Sequence, residues 1–352
     1  MSGQVESALG EFFRSRADEA RAIGGAFPDA VALLEDYVFR GGKRLRPHFA
    51  WIAWQGAGGD PDGPDAPAVL RALSALELVQ ACALVHDDII DASTTRRGFP
   101  TVHVEFAQRH RREGWRGDGT RFGESAAILL GDLALAWADD MFHGSGVPPE
   151  AAGRVAPVWS AMRTEMLGGQ FLDITTEATA DESVDAALRI DRFKTAAYTV
   201  ERPLHLGAVL AGADDALVAA YRSIGADLGV AYQLRDDLLG VFGDPQVTGK
   251  PSGDDLRSGK RTVLLATALD HGDRTDAAAS AELRAGIGTD LSVADVERLR
   301  VVIRELGAVA DVEDRIDALT ARASRTLDAC TATDDAKRDL AALAESLTQR
   351  TS

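Results

Sequence analysis

An acidic segment at residues 83–98, with the sequence ALVHDDIIDASTTRRG, constrains this chain more than any other stretch. Three carboxylates are followed by two adjacent cations, at Asp87, Asp88, Asp91, Arg96 and Arg97. On a helix, Asp87 and Asp91 lie one turn apart on the same face, with Asp88 about 100° around the axis. Apolar side chains are interleaved with them, at Leu84, Val85, Ile89 and Ile90. No side of such a helix is wholly wet, so the crowded carboxylates lose hydration and require compensating cations.

The oxygen ligands of this segment suit magnesium. Mg²⁺ binds proteins through one or two carboxylates, keeps several waters, and takes its other ligands from phosphate. The alternative is a solvated acidic helix face that binds nothing. The apolar interleaving and the arginine pair favour the metal site, and a second acidic segment favours it further.

That second segment is residues 232–262, with the sequence YQLRDDLLGVFGDPQVTGKPSGDDLRSGKRT. Asp236 and Asp237 again lie in an apolar helical context, and a loop rich in glycine and proline follows them. Three cations lie in or just after this loop, at Lys250, Lys260 and Arg261. Two acidic helices, each followed by cations, predict a site that holds Mg²⁺ and a diphosphate.

At this point the sequence resembles the trans-polyprenyl diphosphate synthases. The matching pieces occur in the family's order, as GGKRLRP (41–47), DDIID with RRG (87–98), GDLALA (131–136), GGQFLD (168–173), KTA (194–196) and the segment 232–262. No single piece is specific, but together they are. The resemblance implies an isoprenoid synthase fold, prenyl transfer between isopentenyl and allylic diphosphates, three Mg²⁺ ions per active site, and a homodimer.

Composition and charge agree with an all-α protein and exclude several classes. Of 352 residues only 6% are aromatic, and alanine and leucine runs recur, so we expect one domain over residues 1–352, a single large helical bundle around a central cavity. The net charge of −17 argues against a nucleic-acid partner. Two cysteines, Cys82 and Cys330, indicate neither a disulfide framework nor a zinc site. Since no signal peptide and no transmembrane stretch of about 18 apolar residues is evident, we expect a cytoplasmic protein.

Hydrophobic periodicity and breakers predict the main elements. We expect helices at residues 4–24, 29–40, 67–92 and 124–142, a helix starting at Pro148–Pro149, and loops at 55–66 and 111–122. The helix at 124–142 would line the hydrocarbon pocket and a subunit interface, although an ordinary core helix would have the same pattern. Further helices with glycine-rich breaks follow residue 262, and Ser292 with Asp295 forms a capping box that starts one of them.

The resemblance assigns roles residue by residue. The metal ligands would be Asp87, Asp91 and Asp236, with Asp88 also part of the catalytic set. The allylic diphosphate would be bound by Arg96, Lys194, Thr195 and Lys250. Isopentenyl diphosphate would be bound by Lys43, Arg46, Gln80 and Arg97, and further substrate contacts would come from Gln233 and Lys260. Nothing in the residues themselves separates Arg44 from Arg46.

Product length follows from helix geometry. The growing tail is expected to run from Asp87 towards the start of its helix, where one turn of about 5.4 Å approximates one isoprene unit. Cys82 and Ala83 are small and Val79 is only moderately large, so they should admit a tail longer than farnesyl. Trp137 or Met141 could close the pocket. We therefore expect geranylgeranyl diphosphate, with farnesyl or longer products as alternatives, and a phenylalanine at position 82 or 83 should shorten the product.

One departure and two rival functions remain. The family's second motif is commonly DDxxD, whereas this chain has DDLLG with Gly240 in the third acidic position. Asp237 or Asp244 could instead support the water shell of the metal. A class I terpene cyclase also uses DDxxD, but its usual second metal motif is not evident here. A non-catalytic subunit of a heteromeric synthase is the other alternative, and only Gly240 points that way.

Overall fold

A computed structural model of the chain describes residues 1–243 and 253–348. The chain forms two compact units, residues 1–158 with 206–213, and residues 159–205 with the chain from Asp214 onwards. The described part is almost entirely helical, which confirms the predicted all-α class. The only described strands are β1 (Thr95–Arg96) and β2 (Phe99–Pro100), which pair antiparallel as one short hairpin.

The first unit is built from the N-terminal helices. These are α1 (Ser2–Ile23), α2 (Phe27–Phe39), α3 (Leu45–Gly56), α4 (Ala66–Ser74), α5 (Leu76–Ile90), α6 (Val102–Arg112), α7 (Gly119–His143) and the start of α8 (Pro149–Thr179). Helix α7 packs against both α5 and α6. Large side chains such as Phe49, Leu76 and Phe142 are almost fully buried and form its core.

Two sequence-based boundaries are corrected in this unit. The helix predicted over residues 67–92 is broken at Ala75, so α4 and α5 are separate helices. The loop predicted over 111–122 is shorter, because α6 continues to Arg112 and α7 begins at Gly119. Asp118 starts α7 by accepting a hydrogen bond from the Thr120 backbone N–H at 2.8 Å, which satisfies an otherwise unpaired donor of the first turn.

The second unit continues from α8. It contains α9 (Val184–Ile190), a π-helical segment (Asp191–Glu201), the start of α10 (Arg202–Ala211), α11 (Asp215–Phe242), α12 (Asp254–Ser258), α13 (Val263–Thr275), α14 (Ala277–Gly286), α15 (Val293–Glu305), α16 (Ala308–Ala329) and α17 (Asp334–Thr348). Helix α11 packs against the π-helical segment and α16. The predicted capping box of Ser292 and Asp295 is present at the start of α15.

The segment Ala66–Ile90 is long and apolar enough to span a membrane by length and composition alone. Within its most apolar window, however, 72% of the residues are buried inside the protein. Burial of this kind is what the core helix of a globular unit shows. The acidic residues at the end of α5 therefore directly follow a buried apolar stretch of the same segment.

Candidate active site

The end of α5 places two carboxylates around one guanidinium. Arg96 Nε donates to Asp88 Oδ1 at 2.8 Å, and Arg96 Nη2 donates to Asp87 Oδ2 at 3.3 Å. Asp88 is 1% exposed, and burial raises the pKa of its carboxyl, an effect that Arg96 opposes. Asp91 ends the helix and is exposed. The cation predicted to compensate the crowded carboxylates is therefore Arg96.

A tight hairpin presents the neighbouring cation, Arg97. Arg96 pairs with Phe99, and the two residues between them have φ angles of 54° at Arg97 and 80° at Gly98. Positive φ at both positions is typical of the type I′ turn that joins two twisted strands. Arginine rarely adopts this conformation, so strain is stored at a residue predicted to bind substrate. The Arg97 guanidinium donates to the Gly41 carbonyl.

The glycine pair at 41–42 lets this contact form. An ideal Cβ on Gly42 would lie 3.2 Å from the nearest Arg97 guanidinium nitrogens, closer than side chains normally approach. Lys43, the next residue, is exposed. The hairpin thus brings Arg97 against the loop that carries Lys43.

The structure also separates Arg44 from Arg46. Arg44 is 4% exposed and adopts φ 50° just before α3. Its Nη1 donates to Glu77 Oε2 at 2.7 Å and its Nη2 donates to the Val38 carbonyl at 2.8 Å. Because Arg44 is committed to a buried ion pair, its role is structural. Arg46, to which the resemblance assigns a contact with isopentenyl diphosphate, is also buried.

The face of α5 before Asp87 contains the proposed chain-length residues. Gln80 and Ala83 are half-buried, whereas Val79 and Cys82 are fully buried. Cys82 Sγ lies 3.8 Å from His86 Nδ1, and burial raises the pKa of the Cys82 thiol to about 12. Cys82 is therefore packed into the protein, while Ala83 is on the more open side.

His86 fixes α5 against α7. Its Nε2 lies 3.1 Å from the Ile128 carbonyl, and an ideal Cβ on Gly131 would lie 2.1 Å from the same nitrogen. Only glycine leaves room for the ring at this crossing. These contacts pack the His86 ring between α5 and α7.

In the second unit, α11 carries the second acidic motif. Asp236 is half-buried, and Asp237 is 1% exposed. Gln233 Nε2 donates to Asp237 Oδ1 at 2.8 Å. Burial raises the pKa of Asp237 to about 7, although the positive charge of Lys260 opposes the shift. Gln233, predicted to bind substrate, here holds a carboxyl of the motif.

A carboxyl that sequence reasoning missed lies beside this motif. Asp191, the first residue of the π-helical segment, is buried, and its pKa is raised well above the usual range by burial and then by the charge of Asp237. Lys260 and Lys194 lower the pKa of Asp191 through their charge. No motif of the sequence marks Asp191, because its position depends on how the π-helical segment packs.

Lys194 and Thr195 lie within that π-helical segment and are half-buried. Lys194 Nζ lies 2.5 Å from Asp173 Oδ2 on α8. An ideal Cβ on Gly169 would lie 2.2 Å from the Lys194 backbone nitrogen, and one on Gly229 of α11 would lie 2.7 Å from Ala196. Two glycines thus let α8 and α11 approach the segment closely. A π-helical stretch is often found at functional sites.

The place of the missing third carboxylate is filled by another one. An ideal Cβ on Gly240 would lie 1.9 Å from Asp255 Oδ2, at the start of α12. Asp255 is buried, and its charge raises the pKa of Asp237. The Asp255 carboxylate of α12 thus lies against the backbone of Gly240, beside the second acidic motif of α11. Lys250 and Asp244, which we predicted to take part, lie outside the described residues.

The donor set fits magnesium. Within residues 1–243 and 253–348, no three carboxylate, histidine or cysteine side chains are grouped so that they could hold a metal by themselves. Asp88 Oδ2 and Asp237 Oδ2 are buried and have no hydrogen-bond partner among the described residues. A site that offers only one or two carboxylate ligands to each ion matches Mg²⁺, which completes its coordination shell with water and phosphate oxygens. The residues present therefore fit Mg²⁺.

Comparisons with known proteins support the family resemblance found in the sequence. The chain is 35% identical over 303 residues to a geranylfarnesyl diphosphate synthase of Aeropyrum pernix, covering 85% of this chain and 87% of that one. It is 35% identical over 266 residues to a geranylgeranyl diphosphate synthase of Mycobacterium tuberculosis, covering 76% and 69%. A solved geranylgeranyl pyrophosphate synthase of Corynebacterium glutamicum, complexed with isoprenyl diphosphate and magnesium, superposes with a TM-score of 0.95 at 48% identity over 99% and 98% of the two chains. The family model for polyprenyl synthetases matches residues 29–301, and the chain belongs to that family.

Proposed function

We propose that this protein condenses isopentenyl diphosphate with allylic diphosphates and that its main product is geranylgeranyl diphosphate. It is a trans-prenyltransferase of the short-chain class. The observation that carries the product assignment is the 48% identity, over 99% of the chain, to a geranylgeranyl pyrophosphate synthase. The small side chain of Ala83, one turn before Asp87, is consistent with a tail that extends beyond farnesyl.

The acidic motifs hold the metal in this proposal. Asp87, Asp91 and Asp236 would hold three Mg²⁺ ions, which when bound would neutralise charge on the leaving diphosphate. Arg96 and Lys194 supply fixed positive charge to the same diphosphate. Because they are held by Asp88 and Asp173 before substrate arrives, little reorganisation is needed as the C–O bond breaks.

Isopentenyl diphosphate is bound by Lys43, Arg46, Gln80 and Arg97 in this proposal. The double bond of isopentenyl diphosphate attacks the allylic cation, and the proton lost afterwards can be accepted by the released diphosphate. No protein base is then required. An apolar cavity that excludes water would protect the cation from hydrolysis.

For the length of the product, the similar proteins offer more than one alternative. The relatives at 35% identity include synthases of geranylfarnesyl, geranylgeranyl and farnesyl diphosphates, so that level of identity does not select among them. The structural relative at 48% favours geranylgeranyl. Terpene cyclisation and a non-catalytic subunit role remain the alternatives to synthesis itself.

One incubation series tests the proposal. Purified protein is mixed with Mg²⁺, isopentenyl diphosphate and dimethylallyl, geranyl or farnesyl diphosphate in turn, and the products are sized by chromatography after dephosphorylation. We expect geranylgeraniol as the main product from every primer. A released hydrocarbon would indicate a cyclase, and no turnover would indicate a non-catalytic subunit. The Asp87→Ala variant is the matched control and should lose activity by orders of magnitude while remaining folded.

A further inference from the structure

The Tyr37 hydroxyl is buried but has no hydrogen-bond partner among the residues that the structure describes. Tyr37 lies on α2, about one turn before the glycine pair at 41–42. Leaving a buried hydroxyl unsatisfied is unfavourable, because its bonds to water are lost and nothing replaces them. A phenylalanine would fill the same space without that penalty. The hydroxyl therefore has capacity for a partner that none of the described residues supplies.

The surroundings of Tyr37 specify the charge of that partner. Tyr37 lines a cleft together with Arg40, Arg96, Arg97, Phe99 and Pro100. Three guanidinium groups at one cleft favour an anion, and arginine matches the planar oxygens of phosphate. Arg40 lies over the Phe99 ring at 5.1 Å from its centroid and donates to Glu105 at 3.0 Å, so it is already committed.

Of the three arginines that line this cleft, Arg97 is the one that can donate further hydrogen bonds to an incoming ligand. Its guanidinium donates to the Gly41 carbonyl, and an arginine carries five N–H donors in all. Arg96, by contrast, is held by the carboxylates of Asp87 and Asp88. An anion that enters the cleft would therefore meet Arg97 and the Tyr37 hydroxyl together.

Tyr37 can act only as a neutral donor there. Burial raises its pKa above the usual value, and the nearby charge of Asp88 raises it further, although Arg96 and Arg97 oppose the shift. The hydroxyl is thus protonated at any physiological pH. A proton donor between guanidinium groups complements a phosphate oxygen and does not suit a cationic or purely apolar ligand.

We propose that the Tyr37 hydroxyl donates a hydrogen bond to a phosphate oxygen of isopentenyl diphosphate, beside Arg97, and so positions this substrate. The inference rests on the proposed function, in which Arg97 binds isopentenyl diphosphate. It adds a residue that is uncharged and lies outside the acidic and basic motifs. Its contribution is to binding and orientation, because the hydroxyl has no role in the bond changes of the reaction.

The test is the Tyr37→Phe variant, assayed with isopentenyl diphosphate varied at saturating farnesyl diphosphate and then with the two substrates exchanged. We expect the KM for isopentenyl diphosphate to rise about ten-fold or more, as for loss of a hydrogen bond to a charged group, while the KM for farnesyl diphosphate changes less than two-fold. The melting temperature without substrate should equal or exceed that of the parent, because an unsatisfied hydroxyl has been removed. A purely structural tyrosine would instead lower the melting temperature and leave KM unchanged.

Tyr221→Phe is the matched control. Tyr221 also has a buried hydroxyl without a partner among the described residues, but it lies on α11 of the second unit near Cys330. Its removal should change neither KM. An unchanged KM for isopentenyl diphosphate in Tyr37→Phe, or a rise confined to farnesyl diphosphate, would overturn the inference. A parent protein without turnover would instead refute the proposed function, so the two failures are distinguishable. Tyr37→Leu provides a second variant without the hydroxyl should Tyr37→Phe fold poorly.

Discussion

At the scale of single residues, Gly240 and Asp255 depend on each other, because the Asp255 carboxylate fits only where position 240 has no side chain. The carboxylate of Asp255 occupies the space that any Cβ at position 240 would need, at a separation of 1.9 Å. We therefore expect Gly240→Asp to lower the free energy of unfolding by about 1–3 kcal/mol through overpacking, and to reduce turnover. Chemical denaturation of the two proteins without Mg²⁺ measures the first effect.

Two further variants separate the steric cause of the lost stability from the effect of the added carboxylate. Gly240→Ala adds only the clashing Cβ, and the double variant Gly240→Asp with Asp255→Gly moves the carboxylate from α12 to α11. The double variant should recover much of the stability lost by Gly240→Asp, because the two sites are in contact and should couple. A Gly240→Asp protein as stable as the parent would show that Asp255 does not fill this space.

The Arg44–Glu77 ion pair is a second residue-scale case. Both side chains are 3% exposed. The other carboxylate near Arg44, that of Glu6, lies 3.6 Å away and is 45% exposed, so removing the charge of Glu77 leaves the buried guanidinium poorly compensated. Glu77→Gln should lower the free energy of unfolding by about 3–5 kcal/mol, as measured by urea denaturation. The exposed pair of Arg21 and Asp18 is the control, and Asp18→Asn should cause no measurable change. Equal stability of Glu77→Gln and the parent would contradict a structural role for Arg44.

Residue types and spacing predicted the acidic motifs and their cation, since Arg96 does compensate Asp87 and Asp88. They could not separate Arg44 from Arg46, because both are arginines of one short motif and only packing shows which one meets Glu77. Tyr37 and Asp191 were missed for a related reason. A buried hydroxyl or carboxyl without a partner is a property of packing and has no sequence pattern.

At the scale of elements, we expect α5 to limit the length of the product. Helical geometry places Ala83 about 40° from Asp87 around the axis, but Cys82 about 140° away. Their burial agrees, since Ala83 is half-buried while Cys82 is fully buried near His86. A bulky side chain at position 83 would therefore enter the space beside Asp87, whereas one at position 82 would enter the packed interior.

We expect Ala83→Phe to shorten the main product by about one isoprene unit, because an overfilled wall leaves no room for the tail. Cys82→Phe should chiefly lower stability, by about 1–3 kcal/mol, with a smaller effect on product length. Product sizing by chromatography and thermal melting of both variants provide the two measurements. Ala83→Ser, which adds little volume, is the control and should retain the parent product. If Ala83→Phe also kept the parent distribution, the tail would not pass this face of α5.

Most elements were predictable because their apolar periodicity is strong, as in α1 and α2, whose bounds differ from prediction by a few residues. The interruption at Ala75 was not predictable, since alanine favours helix and the dihedral angles of Ala75, φ −58° and ψ −23°, remain helical. The π-helical segment was not predictable either. Its register depends on close packing at Gly169 and Gly229, which are ordinary glycines in the sequence.

At the scale of the whole molecule, two helices carry large apolar side chains that the single chain does not cover. On α7, Ile128 is 46% exposed and Leu129 is 67% exposed. On the part of α8 within the second unit, Leu167 is 49% and Phe171 is 63% exposed, one turn apart on one face. Exposed apolar faces of this kind mark interaction sites. We propose that both faces are covered by a second copy of the chain, in the homodimer that the family resemblance implied.

Each face is tested by its own variant, measured by light scattering after size-exclusion chromatography at micromolar concentration. The parent should have the mass of two chains, and Leu129→Glu and Phe171→Glu should each shift the population towards one chain, because a buried carboxylate without a partner is strongly unfavourable. Val293→Glu is the control, since Val293 is 77% exposed at the start of α15 and no other large apolar residue is exposed beside it among the described residues. It should remain dimeric. A monomeric parent, or dimers that survive both substitutions, would show that these faces are not the subunit interface.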